Sequence, residues 1–244
     1  AAFLASRKTK TLPGSTSSDS RVKHIQRLED IQYASSPSHG RSHGRLDLYL
    51  PREKKMFPVV MFVHGGAMIK GDKSALRPLA ERLVLHGFGV AAINYRLSPA
   101  VKFPAHVEDV AAAFAWIHAN ISSHGGNPER LFVAGGSAGG YLVALLSVDG
   151  RYLNKHRLGL ENIRGTIAIS GLVNTAKVPP ERLKLVWGGG PSVTRRASPM
   201  QYVSKDVPAT LILFADGDTI GRKKQNRSMA TALRKAGHRD VSVQ

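Results

Sequence analysis

Two kinds of pattern in the apolar and polar positions recur along this chain. Uninterrupted apolar runs, typical of strands buried on both faces of a parallel sheet, alternate with segments that repeat at helical spacing. Residues 45–50 instead alternate apolar with polar positions, which predicts an antiparallel edge strand that ends at Pro51. The other candidate strands lie at residues 31–33, 59–63, 89–95, 131–134, 166–169, 209–214 and 241–243.

Four segments between these strands are predicted to be helices. The clearest repeats its apolar positions at Val107, Val110 and Phe114, as a helix lying on a sheet does. Alternation of strands and helices predicts an α/β fold, in which a doubly wound, mostly parallel sheet carries helices on both faces. The predicted helices cover residues 75–86, 106–122, 138–148 and 224–236.

The 244-residue length suits one large domain. Residues 1–28 are polar, Ser-rich and basic, and we expect a loosely ordered arm there. The single domain then covers residues 29–244. Within it, residues 171–206 hold prolines and a run of three glycines, which predicts a small irregular insertion that forms a cap over one end of the sheet.

The distribution of charge decides whether a nucleic-acid partner is expected. The chain has 35 Lys and Arg against 17 Asp and Glu, a formal net charge of +18. These cations are scattered, lack interleaved aromatic residues and belong to no recognisable nucleic-acid module, so we interpret them as a solvated surface without a specific nucleic-acid partner. The basic side chains considered include Arg182, Lys184, Arg222, Lys223, Lys224, Arg227, Arg234, Lys235 and Arg239.

The chain's compartment and oligomeric state are left open by the sequence. The absence of cysteine excludes disulfides and thiol chemistry but not export. No apolar run is long enough to cross a bilayer. The first six residues fit either the tail of a cleaved leader or an ordinary terminus. We favour the cytoplasm and keep export as the alternative.

One candidate nucleophile stands at the end of an apolar strand. Residues 131–140 run from that strand into Gly-x-Ser-x-Gly and directly into a helix, which places Ser137 on a sharp strand-to-helix turn. Small residues at Gly135 and Gly139 allow the close packing that such a turn requires. The turn also points the N–H of Ala138 toward whatever Ser137 attacks. The alternative is an ordinary tight turn.

A second Gly-rich turn follows the buried strand at residues 59–63. Acyl transfer needs unhindered amides around the oxygen that becomes negative, and the N–H groups of Gly66, Ala67 and Ala138 are the expected donors. The alternative is a Gly-rich turn with no role in binding. We expect His64, at the strand end, to be a structural residue that hydrogen-bonds this loop.

Several motifs occur in an order that resembles the α/β-hydrolase superfamily, and within it the hormone-sensitive-lipase-like carboxylesterases. Plant isoprenylcysteine methylesterases and kynurenine formamidases look similar over the same segments. Ala67, in place of a third glycine, and Met68, in place of an aromatic residue, depart from the pattern and change the expected shape of the acyl pocket. The matching stretches are residues 64–66, 94–99, 103–105, 108–109, 125–130 and 135–140.

The resemblance implies an acid and a base in addition to the nucleophile. Asp218 aligns with the family's carboxylate, which orients the base and stabilises its cation; Asp216 is the fallback. In the family the histidine follows the last long strand, which places it beyond Gln244, so we expect this chain to stop before its base. His238 precedes the last strand and therefore belongs at the wrong end of the sheet.

The implied activity is a serine carboxylester hydrolase that forms an acyl-enzyme on a small or medium ester, without a metal or organic cofactor. An arylformamidase or another amidase would use the same residues. A catalytically silent binding protein of the same fold is the rival from another class, because loss of the base alone costs on the order of a millionfold in rate.

Overall fold

A computed structural model describes residues 24–34, 43–215 and 217–244. Its strands form one sheet with the order β1-β2-β4-β3-β5-β6-β7-β8. All neighbouring pairs from β4 to β8 are parallel, whereas β2 runs antiparallel to both β1 and β4. The strands are β1 (Ile25–Gln32), β2 (Arg45–Pro51), β3 (Phe57–Val63), β4 (Gly89–Ile93), β5 (Gly126–Gly136), β6 (Gly165–Ile169), β7 (Thr210–Leu213) and β8 (Val241–Val243).

The α-helices of the described residues lie between these strands. Short 3-10 turns add to them, including one at Lys73–Leu76 and one at Thr175–Lys177. The helices are α1 (Arg77–Leu85), α2 (Ala105–Asn120), α3 (Ala138–Val148), α4 (Arg151–Asn154), α5 (Pro180–Trp187), α6 (Pro191–Arg196) and α7 (Ile220–Lys235).

Helices cover both faces of the sheet, as the alternating pattern predicts. Strand β3 shows the division, because successive side chains point to opposite faces. Met61 packs in one cluster with α2 and α3, whereas Val60 and Phe62 pack in another with α1. Every residue of α3 is buried, which explains why its sequence is apolar all round. The predicted α/β class is therefore confirmed.

Strand β2 does not lie at the edge of the sheet, contrary to our expectation. It lies between β1 and β4, and residues on both of its faces are buried. Its polar position Asp47 suggested a solvated face, but the side chain is 3% exposed and pairs with the buried ammonium of Lys73 at 2.6 Å. An ion pair supplied by a distant segment thus allows a polar residue inside the sheet.

Two predicted boundaries also change. Strand β1 begins at Ile25, so residues 25–28, which we placed in the arm, belong to the sheet. The remainder of the predicted arm, residues 1–23, lies outside the described residues. Helix α7 begins at Ile220, four residues earlier than predicted, because the hydroxyl of Thr219 accepts a hydrogen bond from the N–H of Arg222 and caps the helix.

The expected cap insertion, residues 171–206, contains α5, α6 and short turns. Its anchor is Trp187, whose side chain is 1% exposed. The indole N–H donates to the hydroxyl of Tyr141 on α3 at 2.9 Å, and that hydroxyl donates to the carbonyl of Ala197, also at 2.9 Å. The insertion is therefore docked on the helix that follows the candidate nucleophile. None of the helices in the described ranges has the length and hydropathy needed to span a bilayer.

Candidate active site

Ser137 sits at the junction of β5 and α3 with φ of 54° and ψ of −110°. A positive φ is rare for a residue with a side chain and costs on the order of 1–3 kcal/mol. The residue is exposed, although its neighbours Ala138 and Gly139 are buried. Its N–H donates to the carbonyl of Ile169 at the end of β6, at 2.8 Å. The turn therefore presents the hydroxyl outward while its backbone is held by the next strand.

The glycines around Ser137 permit this geometry. A Cβ on Gly139 would lie 2.0 Å from the carbonyl oxygen of Val63, and one on Gly135 would lie 2.5 Å from the backbone of Gly139. Helix α3 thus approaches the ends of β3 and β5 more closely than any side chain would allow. By contrast, Gly136 has open space around its α-carbon.

The loop after β3 lies at the same end of the sheet as Ser137. Strands β3 and β5 are parallel neighbours in which Val63 pairs with Gly135, so the two Gly-rich turns emerge side by side. A Cβ added to Gly65 would lie 3.5 Å from the Cβ of Ser137. Amides of the second turn can serve a substrate of Ser137 only if the two turns share one end of the sheet, and they do.

The loop that carries the candidate oxyanion donors Gly66 and Ala67 has positive backbone φ angles. Gly66 has φ of 107°, and a Cβ there would lie 1.9 Å from the carbonyl oxygen of Lys70, so only glycine fits. Ala67 and Met68 follow with φ of 60° and 63°. Within the described part of the chain, the N–H groups of Gly66, Ala67 and Ala138 have no protein acceptor. Of the three, Ala138 lines the cavity that holds Ser137, whereas Gly66 and Ala67 are not among its lining residues.

His64 lies behind this loop. Its ring stacks on Tyr95 with centroids 4.4 Å apart, and its Nδ1 lies 2.7 Å from the carbonyl oxygen of Gly65. Burial lowers the pKa of His64, and the hydrogen bond to Gly65 opposes that effect only in part. These contacts are those of a residue that shapes the loop, the role that the sequence analysis assigned to it.

Asp218 lies beside the end of β6, on the loop that follows β7. The hydroxyl of Ser170 donates to its Oδ2 at 2.5 Å. Ser170 directly follows Ile169, whose carbonyl accepts the N–H of Ser137. Ser137 and the carboxylate of Asp218 therefore lie on either side of the carboxyl end of β6. The sequence analysis did not identify Ser170. Its only signal was a serine at the carboxyl end of a strand. The fallback acid, Asp216, lies outside the described residues.

No histidine among residues 24–34, 43–215 and 217–244 lines the cavity that holds Ser137. His238 precedes β8, and its ring nitrogens contact the carbonyl oxygens of Lys205 and Asp240. It therefore lies at the amino end of a parallel strand, whereas Ser137 follows a carboxyl end. His106 also lies outside the lining of that cavity. The Nε2 of His106 lies 3.1 Å from Ser98 Oγ, and burial, with a contribution from Arg96, lowers the pKa of His106 to about 4.

Ser137 opens into a cavity of about 570 Å³, a size typical of small-molecule sites. Apolar side chains form part of its wall, among them Met68, Leu172 and Met200. The cap insertion and the first turns of α7 contribute cations: Lys177, Arg182, Arg222 and Lys224. The described residues contain no cluster of three or more metal-binding side chains.

A family model described as BD-FAE matches residues 46–233 of the chain. The chain is 32% identical over 203 residues to Esterase LipQ of Mycobacterium tuberculosis, covering 76% of this chain and 48% of that protein. It is 44% identical over 120 residues to the probable isoprenylcysteine alpha-carbonyl methylesterase ICMEL1 of Oryza sativa subsp. japonica, covering 49% of this chain and 27% of that protein. The chain thus spans about half the length, or less, of these curated relatives.

Solved structures show the same fold. An inhibited esterase B from Lactobacillus rhamnosis matches with a TM-score of 0.77 over 93% of this chain and 79% of that one, at 20% identity. At that identity the likeness concerns the fold alone.

Proposed function

This chain belongs to the BD-FAE family and has the α/β-hydrolase fold that its motifs implied, and from that premise we propose that it is a serine carboxylester hydrolase. The observation that carries the proposal is Ser137, exposed on a strained turn and facing a cavity beside main-chain N–H groups that have no acceptor among the described residues. Esterases and methylesterases among its relatives support the same chemistry.

The proposed reaction passes through an acyl-enzyme. Ser137 Oγ attacks the ester carbonyl carbon and gives its proton to a histidine base, while the N–H groups of Gly66, Ala67 and Ala138 hold the carbonyl oxygen as it becomes negative. The alcohol leaves with that proton, and water then releases the acid. Asp218 would orient the histidine. Loss of one oxyanion donor typically costs about 10²–10³ in rate.

The histidine base is the part that the described residues do not supply. The hydrogen bond from the hydroxyl of Ser170 to Asp218 favours one rival, a silent binding protein of the same fold, in which Ser170 and not a histidine is the partner of this carboxylate. The rival keeps the cavity and the two Gly-rich turns but predicts no covalent chemistry at the serine.

Covalent labelling separates the two readings. We expect the natural full-length protein to react with a fluorophosphonate probe and to hydrolyse 4-nitrophenyl acetate, and its Ser137→Ala variant to lose both signals to background. The matched control is Ser123→Ala, because Ser123 is an exposed serine before β5, at the other end of that strand. An unlabelled, inactive full-length protein with a retained cavity would support the binding protein instead.

A further inference from the structure

The cavity at Ser137 has a strongly one-sided charge. Four cations line it: Lys177 and Arg182 from the cap insertion, and Arg222 and Lys224 from the start of α7. No Asp or Glu of the described residues lines the same cavity. The cations come from two segments about forty residues apart in the sequence. They do not form one run of basic residues, and only the tertiary structure brings them together.

None of the four forms a salt bridge with a described residue. The ion pairs of the described residues lie elsewhere, for example between Arg96 and Asp109 and between Lys155 and Glu108. Asp218 acts electrostatically on Arg222, and its Oδ2 already accepts the hydroxyl of Ser170. The cavity wall therefore carries positive charge that the surrounding described residues leave unbalanced.

This arrangement does not stabilise the fold by itself. Arg222 is half-buried, and burial lowers the pKa of its guanidinium; Arg182 lowers it further, whereas Asp218 partly opposes both. Arg222, Lys223 and Lys224 also occupy the first turns of α7, where the positive end of the helix dipole disfavours cations. A bound anion would relieve both costs.

Apolar side chains line part of the same cavity. Met68, Leu172 and Val178 line the same space as Ser137, so an ester has an apolar place for its chain and a cationic place for a charged end. We propose that this site prefers esters carrying a carboxylate or another anionic group, on the acyl or the alcohol side, which the cations of the cap insertion and α7 hold. The inference rests on the proposed function for its reacting atom, but its binding part is tested separately.

The binding test uses anilide probes with the Ser137→Ala variant, so it does not depend on turnover. N-(4-nitrophenyl)glutaramic acid carries a terminal carboxylate, and N-(4-nitrophenyl)pentanamide is its neutral counterpart of the same length. By titration calorimetry at low salt, we expect the acid to bind at least about tenfold more tightly, the gain from one charge-assisted hydrogen bond. High salt should shrink this ratio, because it screens the attraction. A ratio near one would overturn the proposal.

Matched variants locate the effect. Arg222→Gln and Arg182→Gln should each reduce the preference for the anionic probe while leaving the neutral probe's affinity within about twofold. Lys235→Gln removes the same charge from the same helix as Arg222 but lies outside this cavity, so it should retain the preference. If Lys235→Gln has the same effect as Arg222→Gln, net charge alone explains the preference and the proposed site fails.

Turnover tests the two proposals against each other. The acyl-side pair is the 4-nitrophenyl half-ester of glutaric acid and 4-nitrophenyl valerate, and the alcohol-side pair is 4-carboxyphenyl acetate and phenyl acetate. We expect kcat/KM to favour the anionic member of at least one pair by about tenfold. Hydrolysis of the neutral esters without any anionic preference supports the esterase and sinks this inference. In the natural full-length protein, anionic binding without hydrolysis supports the inference and sinks the esterase.

Discussion

Ser137 keeps a strained backbone because its surroundings leave no alternative. Its N–H is bound by the carbonyl of Ile169, its own carbonyl accepts the N–H of Tyr141 at 3.0 Å, and helix α3 is packed against the carbonyl of Val63. The strain is thus offset by backbone hydrogen bonds and burial in the rest of the turn. Pre-organisation of this kind holds a nucleophile in one position before the substrate arrives.

Gly139→Ala should destabilise the protein, although alanine normally favours a helix over glycine. The added Cβ would lie 2.0 Å from the carbonyl oxygen of Val63, so α3 or β3 must shift. We expect a loss of about 1–3 kcal/mol in unfolding free energy, measured by urea denaturation. Esterase activity should fall as well, since the shift moves Ser137.

Gly136→Ala is the matched control for that variant. Gly136 lies three residues before Gly139, its φ is not positive, and a Cβ there would meet nothing within 4 Å. Its unfolding free energy should stay within about 0.5 kcal/mol of wild type, as expected for substitutions away from packed features. Equal losses in the two variants would show that close approach to Val63 is not the cause.

Among the elements, the 3-10 turn Lys73–Leu76 anchors the loop that carries Gly66 and Ala67. The buried ammonium of Lys73 binds Asp47 on β2 at 2.6 Å and Asp30 on β1 at 2.8 Å. The backbone N–H of Lys73 donates to the side-chain oxygen of Asn94, which follows β4. One turn is therefore tied to three strands, and the preceding loop is held at the end of the sheet.

Asp72 caps this turn and makes its stability depend on pH. Burial raises the pKa of Asp72, but hydrogen bonds from Ser74 and Asn94 outweigh it and lower the pKa to about 2. The folded pKa is thus below the unfolded value of 3.8, so the ionised carboxylate stabilises the fold above about pH 4, and this contribution is lost as the pH falls through 2.

Asp72→Asn removes this charge but keeps the cap, because asparagine caps as well as aspartate. It also loses the acceptor for the side-chain amide of Asn94, so the pH dependence of the difference, and not its size at one pH, reports the charge. We expect the wild type to be more stable at pH 7 by about 1 kcal/mol, after allowing for solvent screening of a partly exposed side chain. By pH 3 about half of that difference should disappear in urea titrations. A difference that stays constant between pH 7 and pH 3 would contradict the role of the charge.

At the scale of the whole molecule, the net charge of +18 is the dominant feature. Lys224, Arg227 and Lys235 project from α7, and the cap insertion adds Arg195 and Arg196 to the exposed cations. A surface of this kind attracts polyanions of any type through long-range electrostatics, and salt weakens the attraction.

We therefore expect the protein to bind heparin and short DNA without sequence preference. Two oligonucleotides of equal length and unrelated sequence should bind within about twofold of each other, heparin should displace both, and binding should fall steeply as salt rises. Fluorescence anisotropy at several salt concentrations measures all three. A sequence-dependent affinity that survives high salt would reveal a specific nucleic-acid partner, against our proposal.

Local sequence patterns could predict much of this molecule. Helix α3 was predicted with its observed ends at residues 138 and 148, and the turn at Ser137 followed from glycines and a strand only a few residues away. These features depend on backbone freedom and on apolar periodicity within one segment. Such interactions act over a single turn or strand, so the residues that decide them are neighbours in the chain.

Contacts between distant segments decided the rest. Asp47 is buried inside the sheet because Lys73, from another segment, neutralises it, and Asp218 meets Ser170 only because β6 and β7 are neighbours. Likewise, Arg182 and Arg222 were assigned to a solvated surface, yet the fold places both in the wall of the cavity at Ser137. Periodicity within a segment specifies which face is buried, but only packing between segments specifies what that face meets.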